Sequence, residues 1–152
     1  EFSIRSFQDP KDIGNLMRIQ NAAFQHSWGF SPNNFGEISY RTRMSSTNPE
    51  GILLLCNPSE VVGYCWTSVI EKATGMVGVI SMIGIDPSWR EQRLSRPLLH
   101  AGLTYLSSCE VDHVELEVDS QNLAAVGLYH SMGFEKVAER QWFEASVQRS
   151  PR

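Results

Sequence analysis

The most informative stretch of the sequence reads IDPSWREQRLSRPLLHAGL, residues 85–103. It has the pattern of a strand end, a loop and then a helix, because the leucines after the loop recur at helical spacing. Pro97 fits only the first turn of a helix, so the helix is predicted to begin near Ser95 or Arg96. Loops at such junctions often bind phosphate, since a helix N-terminus offers unpaired N–H groups and a positive dipole end.

The loop itself is unusual for a phosphate site, because no glycine lies between Asp86 and Gly102. Glycine tolerates positive φ and leaves space, but the attraction for phosphate comes from N–H groups and charge. A guanidinium suits phosphate because its planar fork is permanently charged. We therefore expect the loop to bind phosphate by charge as well as by backbone; the alternative is a solvated basic loop on a domain that has lost its ligand. The basic residues of the loop are Arg90, Arg93 and Arg96.

The composition is that of one soluble globular domain. The chain has 152 residues with 41% apolar and 20% charged side chains, which suits a single core. The formal net charge of −4 argues against general nucleic-acid binding, which needs a basic surface. No apolar run approaches the roughly 20 residues that span a bilayer, and the start lacks the apolar segment of a signal peptide. We expect a cytoplasmic protein whose cysteines are small buried apolar residues in a reducing compartment.

The hydrophobic pattern predicts the element order β α α β β β α β α β, an α/β sandwich around one mixed sheet. Asp9 followed by Pro10 is the expected start of the first helix, and Ser31 followed by Pro32 that of the second. The last helix is expected to be capped by Asn122 and ended by a glycine. The predicted strands are 3–7, 51–57, 61–70, 76–85, 113–119 and 135–147, and the predicted helices are 9–24, 31–46, 96–108 and 122–132; a glycine of the fourth strand is expected to mark a bulge.

Two stretches resemble the GNAT superfamily, the GCN5-related N-acetyltransferases. In the strand–loop–helix from Gly84 to Leu103, five residues fit the family pattern. The stretch LEVDSQNLAAVGLYHSMGF, residues 116–134, matches the family nearly residue for residue. The resemblance implies a GNAT fold, with a central mixed, mostly antiparallel sheet, helices on both faces and a splay between two central strands. Residues 76–86 and 113–119 are then adjacent and diverge towards Pro87 and Asp119. The five matching residues of the first stretch are Ile85, Pro87, Arg90, Leu98 and Leu99.

Within this superfamily, the stretches NAAFQHSWGFSP, GYCWTSV and GIDP are most similar to the second half of mycothiol synthases, which are tandem GNAT proteins. Residues 1–152 are therefore expected to be a single GNAT domain, or one half of a longer tandem protein. The resemblance implies acetyl-CoA as donor and a primary amine, of a small molecule or a peptide N-terminus, as acceptor. A second GNAT domain or a second copy of the chain is the expected protein partner, with no nucleic acid or membrane.

The resemblance also implies which residues contact the coenzyme. The pantetheine arm would lie along the end of the strand before the loop, and the loop and helix start would hold the pyrophosphate. Asn122 has two compatible interpretations, a helix cap and a polar contact to pantetheine. The residues so assigned are Ile83, Gly84 and Ile85 on the strand, and Arg90, Glu91, Gln92, Arg93, Leu94, Ser95 and Arg96 in the loop and helix start.

Tyr129 and Glu117 are the candidate catalytic residues. By resemblance Tyr129 is the general acid beside the coenzyme sulfur; the alternative is that it packs against the sheet. Glu117 precedes Asn122 by five residues and Tyr129 by twelve, which resembles the ribosomal-protein alanine acetyltransferases, where the matching glutamate is the base. A carboxylate buried there would act near neutral pH. The alternative is a solvated acidic face. Mycothiol synthases instead keep a glutamate on the preceding strand, where this chain has Val79.

The remaining polar and aromatic residues give weaker signals. The four histidines are scattered and no pair has metal spacing, so no metal is predicted. A second hypothesis remains: a degenerate GNAT domain that binds a partner or supports a tandem neighbour without catalysis, since the glycines expected at positions 93 and 95 are absent. His26 could line the acceptor pocket. The acceptor side could also be walled by Trp28, Phe30 and Tyr40, for each of which core packing is the alternative.

Overall fold

A computed structural model describes residues 1–27 and 29–150 of the chain. The chain divides into two compact units, Glu1–Glu117 and Val118–Arg152. The first unit contains a five-stranded sheet in the order β1-β2-β3-β4-β5, antiparallel throughout except for the parallel pair β4–β5. Its strands are β1 Ser3–Ser6, β2 Ile52–Cys56, β3 Val61–Lys72, β4 Gly75–Ile85 and β5 His113–Leu116; its helices are α1 Ile13–Phe24, α2 Phe35–Thr42 and α3 Ser95–Ser108.

The sheet carries helices on both faces, as predicted. A Cβ added at Gly84 would meet Ala23 of α1 at 2.9 Å, whereas a Cβ added at Gly63 would lie 3.5 Å from Leu98 of α3. Neighbouring residues of β3 face opposite sides of the sheet: Gly63 faces α3, and the ring of Tyr64 lies beside Gly84 on the α1 side. Both faces of β2 are covered, and all five of its residues are buried, which explains its continuous apolar run.

The cysteines of the strands behave as predicted. Cys56 and Cys65 are buried and unbridged, and burial raises the pKa of the Cys65 thiol to about 12. Cys109, at the end of α3, is partly buried.

Both helix starts on the α1 side differ from the prediction. The first helix begins at Ile13 and not near Pro10, because the Asp12 carboxylate holds the preceding turn: it accepts from Arg5 and from the backbone N–H of Gln8 at 2.9 Å. The second helix is capped by Asn34 and not by Ser31. Its side chain accepts from the Glu37 N–H at 2.9 Å, and the Glu37 carboxylate accepts from the Asn34 N–H.

The strands β4 and β5 are paired over only part of the predicted length. Pairing begins at Val77 with His113 and ends at Ile80 with Leu116, although β4 continues to Ile85. Beyond Leu116 the chain leaves the strand, so β5 is three residues shorter than predicted. The two strands therefore lie side by side, as predicted, and β4 continues towards Pro87 beyond the end of β5. The divergence towards Asp119 stays a prediction.

A β-bulge lies where that pairing ends. On the β3 side Ile80 pairs with Thr67 and Met82 with Trp66, so Ser81 is the extra residue. The expected bulge at a glycine of this strand was wrong. The Ser81 hydroxyl lies 2.9 Å from that of Ser68, the next residue of β3, which gives the extra residue a polar partner. Bulges bend strands and re-aim side chains, and this one sits at the start of the free part of β4.

The second unit contains α4, Leu123–Ser131. Asn122 caps it, its side-chain oxygen accepting from the Ala125 N–H at 3.2 Å, and Gly133 follows with φ of 92°, as predicted for a helix stop. The predicted strand 135–147 is not formed: residues 135–150 contain neither helix nor strand. Val137 and Phe143 are 89% and 91% exposed, and an alternating apolar pattern makes a strand only where a partner covers it.

Candidate active site

The first feature of the site is the free edge of β4. Residues 82–85 remain paired with β3, and residues 81–85 have no strand partner on the β5 side among the described residues. A strand edge of this kind presents N–H and C=O groups at regular spacing, to which an extended ligand can add. Gly84 on this segment is required by helix packing, because a Cβ there would also come within 3.1 Å of Phe24 and Tyr64.

The loop after β4 is anchored at its start. The N–H of Asp86 donates to the Val62 carbonyl at 2.8 Å, and its carboxylate accepts from the Ser88 N–H at 2.9 Å. The other carboxylate oxygen lies 3.6 Å from the Arg18 guanidinium on α1. These contacts hold the first turn of the loop, Pro87–Trp89, against β3 and α1.

The backbone of the loop has the conformation that glycine usually supplies. Glu91 and Arg93 have φ of 71° and 57°, both in the left-handed region. For a residue with a Cβ this region costs about 1–2 kcal/mol. Arg93 stands where the resemblance expects a glycine, and its backbone has the left-handed conformation that glycine adopts freely.

The N-terminus of α3 is open to a ligand. The helix begins at Ser95, its N-cap residue is Leu94, and no side chain caps it. The four first N–H groups of a helix lack intrahelical acceptors, and here no cap residue supplies one. Arg93 and Arg96 are exposed beside this end. The arrangement combines a positive dipole end with permanent positive charge.

Arg90 differs from the other two arginines. Its guanidinium donates to the Ala23 carbonyl at 2.7 Å, which ties the loop to the end of α1. The side chain therefore positions the loop, and the other two arginines near the helix start are Arg93 and Arg96. Its own N–H donates to the Pro87 carbonyl at 3.4 Å.

In the second unit, Tyr129 is 9% exposed and lies in the last turn of α4. Its ring packs edge-on against Phe134, with centroids 5.9 Å apart, and its carbonyl accepts from the Phe134 N–H at 3.0 Å. The backbone of the Gly133 turn thus fixes the ring position. Asn122 is a helix cap, as predicted.

Glu117 is exposed, so it does not meet the condition of a buried carboxylate. Glu115 on β5 is half-buried; its carboxylate accepts from Lys72 at 2.8 Å and lies 3.0 Å from His113. The hydrogen bond from Lys72, and to a smaller extent that with His113, lowers the pKa of Glu115. Val79 pairs with Glu115 and Ser68 and is partly buried.

The residues considered for the acceptor side are dispersed. His26 is exposed in the loop after α1, Phe30 is half-buried, and Tyr40 on α2 is 72% exposed. Trp28 lies outside the described residues. In the part of the chain that the structure describes, no group of three His, Cys, Asp or Glu side chains could hold a metal ion, and no helix is long and apolar enough to cross a membrane.

Sequence reasoning missed a polar cluster on the α1 side of the sheet, which we call the Met82 cluster: Gln20, Arg41, Tyr64 and Met82. Three donors point at the Met82 sulfur, from Gln20 at 2.8 Å and from Tyr64 and Arg41 at 3.8 Å each. Gln20 is 2% exposed, and its Oε1 has no hydrogen-bond partner in the part of the chain that the structure describes. The available signal was a glutamine on the apolar face of α1.

Comparison with known proteins agrees with the fold. The family model of the acetyltransferase (GNAT) family matches residues 14–134. Mycothiol acetyltransferase of Stackebrandtia nassauensis is 34% identical over 139 residues, which cover 87% of this chain and 44% of that protein. The chain thus spans about half the length of the curated relatives it matches, 44% to 48% among those named mycothiol acetyltransferase.

Solved structures show the same fold. The ribosomal-protein-S18-alanine N-acetyltransferase from Escherichia coli superposes with a TM-score of 0.72 at 23% identity, covering 91% of this chain and 80% of that one. A chain of the NatC complex bound to Gag peptide and CoA gives a TM-score of 0.76 at 17% identity, covering 91% and 87%. With a family model that matches most of its length, the chain belongs to the acetyltransferase (GNAT) family.

Proposed function

We propose that this domain transfers the acetyl group of acetyl-CoA to a primary amine. The observation that carries the proposal is the parallel pair β4–β5, whose pairing ends at Ile80 and Leu116 while β4 runs on into the loop and the open start of α3. One continuous segment thus offers a strand edge for an extended arm and a helix N-terminus for phosphate. The family assignment and the relatives named as acetyltransferases support this chemistry.

The strand edge is assigned to the pantetheine arm. Backbone groups of Ile83, Gly84 and Ile85 would pair with its amides as a neighbouring strand would. The segment is held in place by its pairing with β3 and by the contact of α1 on Gly84. A rigid edge reduces the ordering cost of binding a flexible ligand.

The loop and helix start are assigned to the pyrophosphate. The residues fit an anion: the cap position of α3 provides no competing acceptor, and Arg93 and Arg96 are exposed beside it. The left-handed residues Glu91 and Arg93 shape the loop as glycines would. Phosphate binding here would combine backbone N–H donors, the helix dipole and two guanidinium groups.

Tyr129 and Glu117 are assigned to proton transfer. An amine attacks only when it is neutral, and a departing thiolate is a better leaving group when it receives a proton. In this proposal Tyr129 donates that proton, and its buried ring is held by the Gly133 turn. Asn122, besides capping α4, contacts the pantetheine arm. Glu117 accepts the proton of the ammonium group directly or through water, and its exposure lets the proton pass on to solvent.

The acceptor is proposed to be a small-molecule amine or a peptide N-terminus. One relative is named a mycothiol acetyltransferase, which supports a small-molecule amine. One structural neighbour is named a ribosomal-protein alanine N-acetyltransferase, which supports a peptide N-terminus. Because the chain spans less than half of the first, acetyl transfer is proposed for this domain itself, with a second GNAT domain or a second copy as possible partner.

The test is release of free thiol from acetyl-CoA in the presence of a panel of primary amines, with melting temperature followed in parallel. Saturating CoA at about 100 times its dissociation constant should stabilise the fold by roughly 2.7 kcal/mol. We expect both a rise in melting temperature and amine-dependent thiol release. Stabilisation by CoA without thiol release for any amine would reject catalysis and leave a binding domain.

A further inference from the structure

The Met82 cluster contains more hydrogen-bonding capacity than its members satisfy. A thioether sulfur is a weak acceptor, yet it faces donors from Gln20, Tyr64 and Arg41. Buried polar groups normally find full-strength partners. Burial raises the pKa of Tyr64, so its hydroxyl stays protonated and remains a donor. The three donors are therefore arranged for a better acceptor than sulfur.

Arg41 is the charged member of the cluster. Among the described residues no carboxylate pairs with it, whereas Arg5, Arg18 and Arg43 face Asp12, Asp86 and Asp9. Its guanidinium lies over the Trp66 ring, 5.0 Å from the centroid. A guanidinium on an aromatic face keeps its N–H groups in the plane of the fork, where a carboxylate can bind them.

Gln20 adds the opposite requirement. Its Oε1 is buried and has no hydrogen-bond partner among the described residues, and an unsatisfied buried acceptor is unfavourable. An N–H donor on a ligand would satisfy it. The cluster is therefore complementary to a molecule that carries an anionic oxygen and an N–H group close together.

A ligand can reach the cluster through Met82. Met82 and Arg41 are partly exposed, whereas Gln20 and Tyr64 lie beneath them. Methionine has three rotatable bonds and adapts its shape easily. Met82 also directly precedes Ile83–Ile85, so the cluster adjoins the strand edge that the proposed function assigns to the coenzyme.

We propose that the Met82 cluster is the acceptor subsite, and that it selects amines that also carry a carboxylate. The carboxylate binds Arg41 and the Tyr64 hydroxyl after the Met82 side chain moves aside, and an N–H group of the same molecule donates to Gln20 Oε1. This inference rests on the proposed function, since it names the substrate class of that site.

The kinetic test compares matched acceptors. Alanyl-alanine, β-alanine and 4-aminobutyrate would be assayed against their C-terminal amides by thiol release from acetyl-CoA. A charge-assisted hydrogen bond is worth about tenfold to hundredfold in binding, so we expect at least tenfold higher kcat/KM for the carboxylates. Arg41→Met should remove that preference by raising KM for the carboxylates alone. Arg43→Met is the matched control, because Arg43 follows on the same helix end and pairs with Asp9. An equal preference in wild type and Arg41→Met overturns the inference.

A second measurement does not depend on turnover. Protein labelled with 13C at the methionine methyls would be titrated with the same six compounds, the Met82 signal being assigned from Met82→Leu. We expect the carboxylates, and not the amides, to shift that signal. If acetyl-CoA binds and no carboxylate shifts it, the inference fails while the proposed function stands. If acetyl-CoA does not bind, the proposed function fails and the titration still reports on the cluster.

Discussion

Arg93 gives the sharpest test of how the loop works. Its φ of 57° is a conformation that glycine adopts freely, and its exposed guanidinium lies beside the start of α3. Two substitutions separate these properties. Arg93→Ala removes the charge and keeps the backbone strain, whereas Arg93→Gly removes both.

The expected magnitudes follow from the geometry. Left-handed backbone costs about 1–2 kcal/mol for a residue with a Cβ. Glycine removes this strain, but it also makes the unfolded chain more flexible, which lowers the free energy of unfolding by about 0.5–1 kcal/mol. Arg93→Gly should therefore raise the free energy of unfolding by roughly 0.5–1 kcal/mol over Arg93→Ala. An exposed ion pair is worth about 0.2–1 kcal/mol, so loss of the guanidinium should weaken CoA binding up to about fivefold.

The assay is calorimetric titration of CoA at low and high salt, with melting temperature for each variant. Arg93→Ala should weaken binding and make it less sensitive to salt, because screening acts on the lost charge. Arg93→Gly should weaken binding less, since its backbone reaches the binding conformation more easily. Lys11→Ala is the control, because it removes one exposed positive charge at a position distant in sequence from the loop. Unchanged affinity and salt dependence in Arg93→Ala would refute a role for the guanidinium.

Three further outcomes are expected. Tyr129→Phe should lower kcat by about 10²–10⁴ while CoA affinity is kept, and Tyr40→Phe, on the exposed face of α2, should leave kcat unchanged; equal turnover of both variants would remove Tyr129 from the mechanism. Glu117→Gln should shift the rising limb of the pH–rate profile, and an unaltered profile would assign the base to water or another residue. Hydrogen bonds from Arg5 lower the pKa of buried Asp12 to about 2. A carboxylate whose pKa is lowered on folding stabilises the folded state above about pH 4, and this contribution is lost as the pH falls to 2. Asp12→Asn should therefore lower the free energy of unfolding, measured with urea, by about 2 kcal/mol at pH 7 and by little at pH 2.

The strand–loop–helix could be predicted from sequence because its signals are local. Pro97 restricts the start of α3, and the leucines define the face that packs on the sheet. The start of α2 was harder, since Ser31–Pro32 and Asn34 are both good caps. The capping box with Glu37 decided between them, and its two reciprocal hydrogen bonds are a stronger signal than a lone serine.

Other features depend on partners distant in sequence. The bulge at Ser81 reflects how β3 and β4 align, and the glycines of β4 serve helix packing instead. The segment 135–147 alternates like a strand but has no strand structure, because pattern alone does not supply a neighbour. Gln20 was visible as an inward-facing polar residue on α1. Its meaning depends on Arg41 and Met82, which come from α2 and β4.

The most direct test of the account is a calorimetric titration of the wild-type domain with acetyl-CoA. The open strand edge and the basic helix start predict one-site binding that weakens as salt increases. Absence of binding at millimolar acetyl-CoA would contradict both the phosphate-binding role of the loop and the assignment of acetyl transfer to this domain.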